Sequence, residues 1–371
     1  MPTIRQVIEV LEEEVSLSYQ EKWDNSGLQV GDKSLKCTGV LLAVEATETT
    51  LSEAKEKGYN LLVTHHPILF HPLSQIGTTT YVERTVALAL RWGIAIYSSH
   101  TASDNKLLAM NGYLAKRLHL EGLKPLVPVL NGLYKLEVMV PTDHSNALKE
   151  ALFSAGAGVQ GDYKHCCYTQ QGTGEFLPLE GANPFCGSVG ENYTTCEDKL
   201  SLLVPKESLA RVVCALRKAH PYEEPAFDII AMQREREDVG SGLIGKLTKS
   251  LTEEEFLREI AQWDGVESIA HSALCGRTIQ KVAICSGAGG SFLEQAKKAG
   301  ADVLLTGEAK YNHFLDAAGY SQGGILLVCI GHYESETVAR KLFKDIISAR
   351  FANFAVDITE KETNPVNYFR L

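Results

Sequence analysis

Short apolar runs alternate with stretches of helical spacing toward both ends of this chain. Three of the runs are rich in leucine and β-branched residues and have the length of a buried strand: residues 60–64, 94–99 and 325–330. Strands that alternate with helices in this way are typical of α/β domains. The pattern therefore predicts α/β folding at both ends of the chain.

The chain also repeats part of its own sequence. Residues 53–64 align with residues 295–306, and a buried strand precedes the helix in each copy, at 40–44 and at 282–285. Each copy reads strand, helix, strand, helix, strand. The repeat therefore predicts two related α/β modules.

The segment between the two copies follows a different pattern. Residues 133–141 alternate apolar and polar positions as a half-buried strand does. The order strand, helix, strands, strand, helix, strand then predicts a ferredoxin-like α+β domain inserted between the modules. The predicted domains are a first α/β module at 1–129, the insert at 130–233 and a second α/β module at 234–371, with linkers at 125–131 and 234–238.

Within the insert, residues 220–225 read His-Pro-Tyr-Glu-Glu-Pro. Such a sequence could bind a small effector. It is also typical of a proline-rich turn before an edge strand, and we favour that interpretation.

Each of the three apolar runs is followed by residues that can bind a metal. His65 and His66 end the first run, and neighbouring residues of an extended chain point to opposite sides. These two histidines are therefore placed to reach one ion each, not to chelate one ion together. The other two runs are followed by a histidine and an acid four residues apart: His100 with Asp104, and His332 with Glu336.

The spacing i, i+4 places each histidine and its acid on one face of a helical turn. Imidazole and carboxylate together are ligands for divalent transition metals such as Zn, Fe, Mn, Ni or Co. A single pair of this kind is usually solvated, and two histidines at a strand end can simply be exposed. Their recurrence after three strands favours a metal site.

The second copy of the repeat has Gly307 and Glu308 where the first has His65 and His66. The carboxyl ends of the strands in both modules would then form the site, as is usual for open α/β sheets. At that place Glu308 could act as a general base or orient a metal ligand.

Composition narrows the class of protein. The chain has 371 residues, of which 44% are hydrophobic and 22% charged, and no apolar stretch is long enough for a membrane span. The acidic amino terminus is not a signal peptide, and the nine cysteines show no CxxC spacing. We predict a cytoplasmic protein. Its net charge of −10 argues against a sequence-independent nucleic-acid surface.

Five stretches of the sequence together resemble a known family. They are residues 23–31 (Trp-Asp-Asn-Ser-Gly-Leu-Gln-Val-Gly), 63–67 (Val-Thr-His-His-Pro), 306–311, 331–336 and 363–365. The chain resembles the NGG-interacting-factor-like family of dinuclear-metal-centre proteins, the GTP cyclohydrolase I type 2 homologues. Its middle segment resembles the PII-like or CutA-like insert of the long bacterial members. Glu45 stands where this family often has aspartate, and residues 101–103 depart from its usual pattern.

The resemblance implies a homohexamer built as a trimer of dimers, with two divalent metal ions per subunit facing an inner cavity that the insert caps. It implies that His65, His66, Asp104, His332 and Glu336 are the metal ligands. His100 is a sixth candidate ligand or a residue that orients one. Glu308 is the candidate catalytic residue.

Two classes of function follow from such a site. One is a metal-dependent hydrolase acting on a nucleotide, a phosphoester or a cyclic C–N bond, because paired metal ions activate water. The other is a non-enzymatic regulatory or metal-handling assembly whose insert senses a small molecule. A purely structural metal is the weakest of the interpretations, because structural zinc sites are usually rich in thiolates.

Overall fold

The computed structural model describes residues 1–274, 276–318 and 324–369. In this part of the chain the fold is mixed α/β and has three sheets. The chain forms two compact units: Met1–Pro128 together with Asp238–Leu371, and Val129–Glu237. Except for residues 129 and 234–237, the residues of both predicted α/β modules therefore lie in the first unit.

The described strands are, in chain order, β1 (Gly27–Val30), β2 (Val40–Ala43), β3 (Leu61–Thr64), β4 (Ala95–Ser98), β5 (Leu120–Leu130), β6 (Leu133–Pro141), β7 (Cys167–Phe176), β8 (Tyr193–Pro205), β9 (Phe227–Met232), β10 (Glu235–Thr252), β11 (Ala270–His271), β12 (Thr278–Cys285), β13 (Val303–Thr306), β14 (Leu326–Cys329) and β15 (Val356–Ile358). The described α-helices are α1 (Ile4–Glu14), α2 (Glu48–Glu56), α3 (Tyr81–Trp92), α4 (Thr101–Asn105), α5 (Met110–Arg117), α6 (Ser145–Ser154), α7 (Leu209–Ala219), α8 (Glu253–Ala261), α9 (Leu293–Lys298), α10 (Tyr311–Ala318), α11 (His332–Glu336) and α12 (Val338–Arg350).

Two of the sheets belong to the first unit. Their strand orders are β1-β4-β3-β2-β15 and β11-β14-β13-β12-β10-β5. In each sheet three neighbouring strands run parallel, β2-β3-β4 in one and β12-β13-β14 in the other. Residues of β3, β4, β13 and β14 are buried throughout. Such continuous burial is expected of parallel strands covered by helices on both faces, and it explains their near-continuous apolar sequence.

The helices that connect these strands have clear sequence determinants. The side chain of Thr47 caps α2 by accepting the backbone N–H of Thr50. The next helix, α3, ends at Gly93, which adopts a left-handed φ of 66° that glycine tolerates without steric cost. These caps fix where α2 begins and where α3 ends, and so help to position the strand that follows each helix.

Each module contributes a helix to the core of the other. Phe343 and Ile347 of α12 pack with α1 against the first sheet. Leu114 of α5 packs with Val282 and Val303 of the second sheet. Strand β15, from the carboxyl end of the chain, also joins the first sheet beside β2. The exchange of these elements explains why the two modules form one compact unit.

The second unit has its own sheet and its own core. Its elements follow as strand, helix, strand, strand, helix, strand, and the antiparallel sheet has the order β7-β8-β6-β9. Along β6, Leu136, Val138 and Val140 are buried and pack with Leu148 of α6 and Leu216 of α7. The alternating sequence of residues 133–141 therefore reflects a sheet with one face covered by helices.

The boundaries between the two compact units, after Pro128 and after Glu237, fall within the two predicted linkers, although both segments are largely strand. Most of residues 125–131 lies in β5, and residues 235–238 lie in β10. Strand β5 is the edge strand of the second sheet, next to β10. Pro125 and Pro128 are compatible with this position because an edge strand can lack ladder donors on one side.

Candidate metal centre

The predicted site residues come from four strand ends. His65 and His66 follow β3, His100 follows β4, and Asp104 lies in α4, the short helix after His100. His332 and Glu336 lie in α11, directly after β14, and Glu308 follows β13. Because the parallel strands of both sheets end here, the fold brings all of these predicted residues together.

Glu336 lies at the centre of the group and is buried, with an exposed fraction of 2%. Its Oε2 atom is 3.0 Å from His66 Nε2 and 3.3 Å from His332 Nε2. Its Oε1 atom is 3.6 Å from His65 Nε2, which in turn lies 3.8 Å from Asp104 Oδ2. One carboxylate therefore faces three imidazoles, and the second carboxylate approaches the same atom of His65, Nε2.

All four imidazoles are held at Nδ1 by an oxygen atom. Assigned from these partners, each Nδ1–H is a donor, so Nε2 is the atom that would bind a metal ion once it has lost its proton. An imidazole held in this way is oriented as a metal ligand usually is. The acceptors are Ser99 O for His65 (3.1 Å), Glu45 Oε1 for His66 (2.6 Å), Asp24 Oδ1 for His100 (2.8 Å) and Glu308 Oε2 for His332 (3.1 Å).

Two clusters in the described part of the chain have the spacing of metal ligands. One combines His65, His66 and His100, and the other combines His66, His332 and Glu336, with the ligand atoms of each cluster within 4.8 Å of one another. His66 belongs to both. The two histidine-rich clusters could hold metal ions.

The cluster of charges shifts the pKa values of its members. Burial alone would lower the pKa of His66, but contacts with Glu336 and Glu45 raise it to about 10. Contact with Glu336 raises the pKa of His332 to about 9, against the effect of burial. Burial opposes the ionisation of Glu336, yet the neighbouring histidines, His65 first, hold its pKa well below the ordinary value. Burial raises the pKa of Asp104.

These residues fit a divalent transition metal on three grounds. The buried atoms His65 Nε2 and Glu336 Oε2 have no hydrogen-bond partner within the described residues, although Glu336 Oε2 lies close to two imidazoles. Buried polar atoms without partners are rare and call for a ligand. The imidazole and carboxylate donor set suits such a metal. Gly287 leaves the space beside Glu336 open, since a Cβ there would collide with the Glu336 carboxylate.

The site opens into a cavity of about 840 Å³ in the first unit. Asp104, His332 and Glu336 line its polar part. Its remaining walls include aromatic side chains from separate segments: Trp23, Phe70, Tyr81 and Phe292. A cavity of this size and mixed lining is in the range that small organic ligands occupy.

Sequence reasoning missed several residues that shape the site. Asp24 holds His100 and also accepts hydrogen bonds from the backbone and the hydroxyl of Thr101. Its pKa is lowered, since the contacts with His100 and Thr101 outweigh burial. Ser286 donates its hydroxyl to Asp104 at 3.1 Å. Asp24 lies within residues 23–31, one of the five stretches that resemble the family, but no local spacing connects it with His100.

Comparison with known proteins gives the family. The model of the Duf34/NIF3 family (NGG1p interacting factor 3) matches residues 2–365. The chain belongs to the Duf34/NIF3 family. The family predicted from the five stretches of sequence is therefore confirmed.

Two relatives and one solved structure illustrate the similarity to Duf34/NIF3 proteins. The chain is 36% identical to the GTP cyclohydrolase 1 type 2 homolog of Halalkalibacterium halodurans, over 88% of this chain and 87% of the relative. It is 32% identical to the homolog of Bacillus subtilis, over 98% of each chain. The structure of the Bacillus cereus protein related to NIF3 covers 99% of each chain, with 30% identity and a TM-score of 0.87.

Among the described residues, no helix combines the length and the apolar character needed to cross a membrane.

Proposed function

We propose that this chain is a metal-dependent hydrolase with two divalent metal ions per subunit. The observation that carries the proposal is the group of four imidazoles, each held at Nδ1, three of which contact the buried carboxylate of Glu336. The proposed ligands are His65, His66, Asp104, His332 and Glu336, with His100 as a sixth. Bound metal ions would supply Lewis-acid chemistry, polarising a scissile bond and lowering the pKa of water.

The residues of the chain have distinct parts in this proposal. Glu336 contacts imidazoles of both clusters and is the candidate bridging carboxylate. Glu45 and Asp24 keep the rings of His66 and His100 in one orientation. The aromatic walls of the cavity offer flat surfaces to a substrate.

The proposed substrates are a nucleotide, a phosphoester or a cyclic C–N compound. The relatives' name, GTP cyclohydrolase 1 type 2 homolog, makes hydrolysis of a nucleotide C–N bond one reaction to test. By the same resemblance we propose a homohexamer arranged as a trimer of dimers. Its mass, measured by light scattering, should be six times that of one chain, and a smaller mass would contradict it.

The enzyme proposal is tested by a metal-dependent screen of activity. Protein purified without chelators should hydrolyse at least one nucleotide, phosphoester or cyclic amide. Treatment with a chelator should abolish the activity, and adding a divalent metal should restore it. His332→Ala should lose the activity, whereas the exposed His271→Ala is the matched control and should keep it. Activity that persists in His332→Ala would contradict the proposal.

The second candidate function is metal handling without catalysis. It is favoured by the exposure of His332, whose side chain is 36% accessible, because an ion held there could exchange with solvent. Protein that binds its full complement of metal, yet hydrolyses nothing in the screen, would support this function instead.

Glu308 has two candidate roles that one substitution separates. Its carboxylate contacts His332 Nδ1 and is 62% exposed, and this contact favours an orienting role. Glu308→Gln keeps the shape of the side chain and removes its charge. We expect metal affinity to fall about tenfold, as for other residues that orient metal ligands. If turnover instead fell about a hundredfold at full metal occupancy, Glu308 would be the general base.

A further inference from the structure

The second unit contains a cavity of about 300 Å³, apart from the metal centre and within Val129–Glu237. This volume is at the lower end of the range for small-molecule sites, roughly 300–1,000 Å³. The walls come from the end of β7, from β8, from the loop between these strands and from the turn after α7. The turn is the His-Pro-Tyr-Glu-Glu-Pro stretch at residues 220–225.

Three aromatic rings form one part of the wall. Tyr222 lies at the middle of the group, with its ring centroid 5.8 Å from that of Phe176 and 6.3 Å from that of Phe185. Phe185 remains 54% exposed. An aromatic group of this kind attracts a cation that lies over a ring face.

Carboxylates form the other part of the wall. Glu197, Glu223 and Glu224 line the cavity, and among the described residues no lysine, arginine or histidine lines it. Glu197 Oε1 accepts the hydroxyl of Tyr222 at 2.9 Å, so one carboxylate is fixed beside the central ring. The cavity therefore combines aromatic surface with uncompensated negative charge.

Hydrogen bonds hold this wall in place. His220 donates Nε2–H to Met139 O at 2.8 Å, and its Nδ1 accepts the backbone N–H of Tyr222 at 3.1 Å. The backbone N–H of Asn183, in the loop, donates to Glu223 Oε1 at 3.1 Å. His220 is buried and fixes the turn, which agrees with the structural interpretation of this stretch, while the residues after it face the cavity.

We infer that this cavity binds an organic cation, an ammonium or guanidinium group carried on an apolar body. The charged group would lie against the carboxylates and an aromatic ring, and the apolar body would contact Phe176 and Phe185. A metal ion fits less well. Within the described residues, the groups with the spacing of metal ligands are both in the other unit.

The inference is tested by calorimetric titration of the whole protein with three probes of similar shape. Benzylamine and benzamidine are cations at neutral pH, and benzyl alcohol is the uncharged control of similar shape. Both cations should bind in the millimolar range or tighter, at least about tenfold more tightly than benzyl alcohol, and added salt should weaken them. Equal binding of benzyl alcohol, or no binding of either cation, would overturn the inference.

Substitutions locate the binding in the cavity. Glu197→Gln keeps an acceptor for the Tyr222 hydroxyl and should weaken both cations about tenfold, as should Glu224→Gln on the opposite segment. Glu191→Gln, an exposed change in the loop between β7 and β8 outside the cavity lining, should leave binding unchanged. Thermal unfolding confirms that each variant is folded. Unchanged binding in both cavity variants, or binding of Zn²⁺ or Mg²⁺ in place of the amines, would disprove the proposed site.

Discussion

Glu336→Gln should remove most of the bound metal from an otherwise folded protein. Glu336 contacts His65 through Oε1, and His66 and His332 through Oε2, so it contacts imidazoles of both clusters. The amide keeps the shape of the side chain but cannot balance the charge of a metal ion. Loss of a residue that only orients a ligand costs roughly 10–100-fold in affinity, so the loss here should be on the order of a hundredfold or more.

The measurement is elemental analysis after equilibration with a limiting concentration of metal. Native protein should hold close to two ions per subunit, and Glu336→Gln one or fewer. Glu294→Gln, an exposed carboxylate of α9 paired with Lys297, is the matched control and should behave as native protein does. Retention of two ions at native affinity in Glu336→Gln would contradict the proposed bridging role. Unfolding curves separate loss of metal from loss of structure.

Much of this site could be predicted because its residues follow local patterns. The runs before His65, His100 and His332 are recognisable from their apolar composition alone, and all three are strands in the structure. The spacing of His332 and Glu336 predicts a shared helical face, and α11 places their side chains 3.3 Å apart. A candidate metal ligand that directly follows a strand can thus be predicted from the sequence.

The groups that hold the imidazoles could not be predicted in the same way. Asp24 is 76 positions from His100, and Glu45 is 21 positions from His66, so no local period connects them. His65 is held by the backbone carbonyl of Ser99, which any residue would provide. These contacts depend on how the strands pair, and strand pairing is not contained in the spacing of a single segment.

The internal repeat also could not predict that helices from each end of the chain pack against the sheet formed by the other end. The repeat describes each module as a unit, whereas Phe343 packs on the sheet of the other copy. The strand conformation of the two predicted linkers could not be predicted for a related reason. Proline at 125 and 128 and charge at 234–238 are typical of loops, but strand pairing at the sheet edge outweighs local preference.

Gly287→Ala should abolish metal binding because the added methyl group would occupy the space of a proposed metal ligand. Gly287 lies beside the centre, where a Cβ would collide with the Glu336 carboxylate and lie 3.5 Å from His332 Nε2. The backbone cannot move away easily. Its N–H donates to Ser335 Oγ at 2.9 Å, and its carbonyl accepts from the Glu308 N–H at 2.8 Å. Glu336 would therefore have to give way, and the metal would lose its central ligand.

The substitution should also lower the stability of the folded protein through backbone strain, and this effect needs its own control. Gly287 has a φ of +62°, where a residue with a side chain costs roughly 1–2 kcal/mol. Gly93 has a φ of +66° and nothing within 4 Å of an added Cβ. Gly93→Ala should therefore lose similar stability, measured by thermal unfolding, yet keep its metal and its activity. If Gly287→Ala bound metal as tightly as Gly93→Ala does, Glu336 would not be held where the proposed centre requires it.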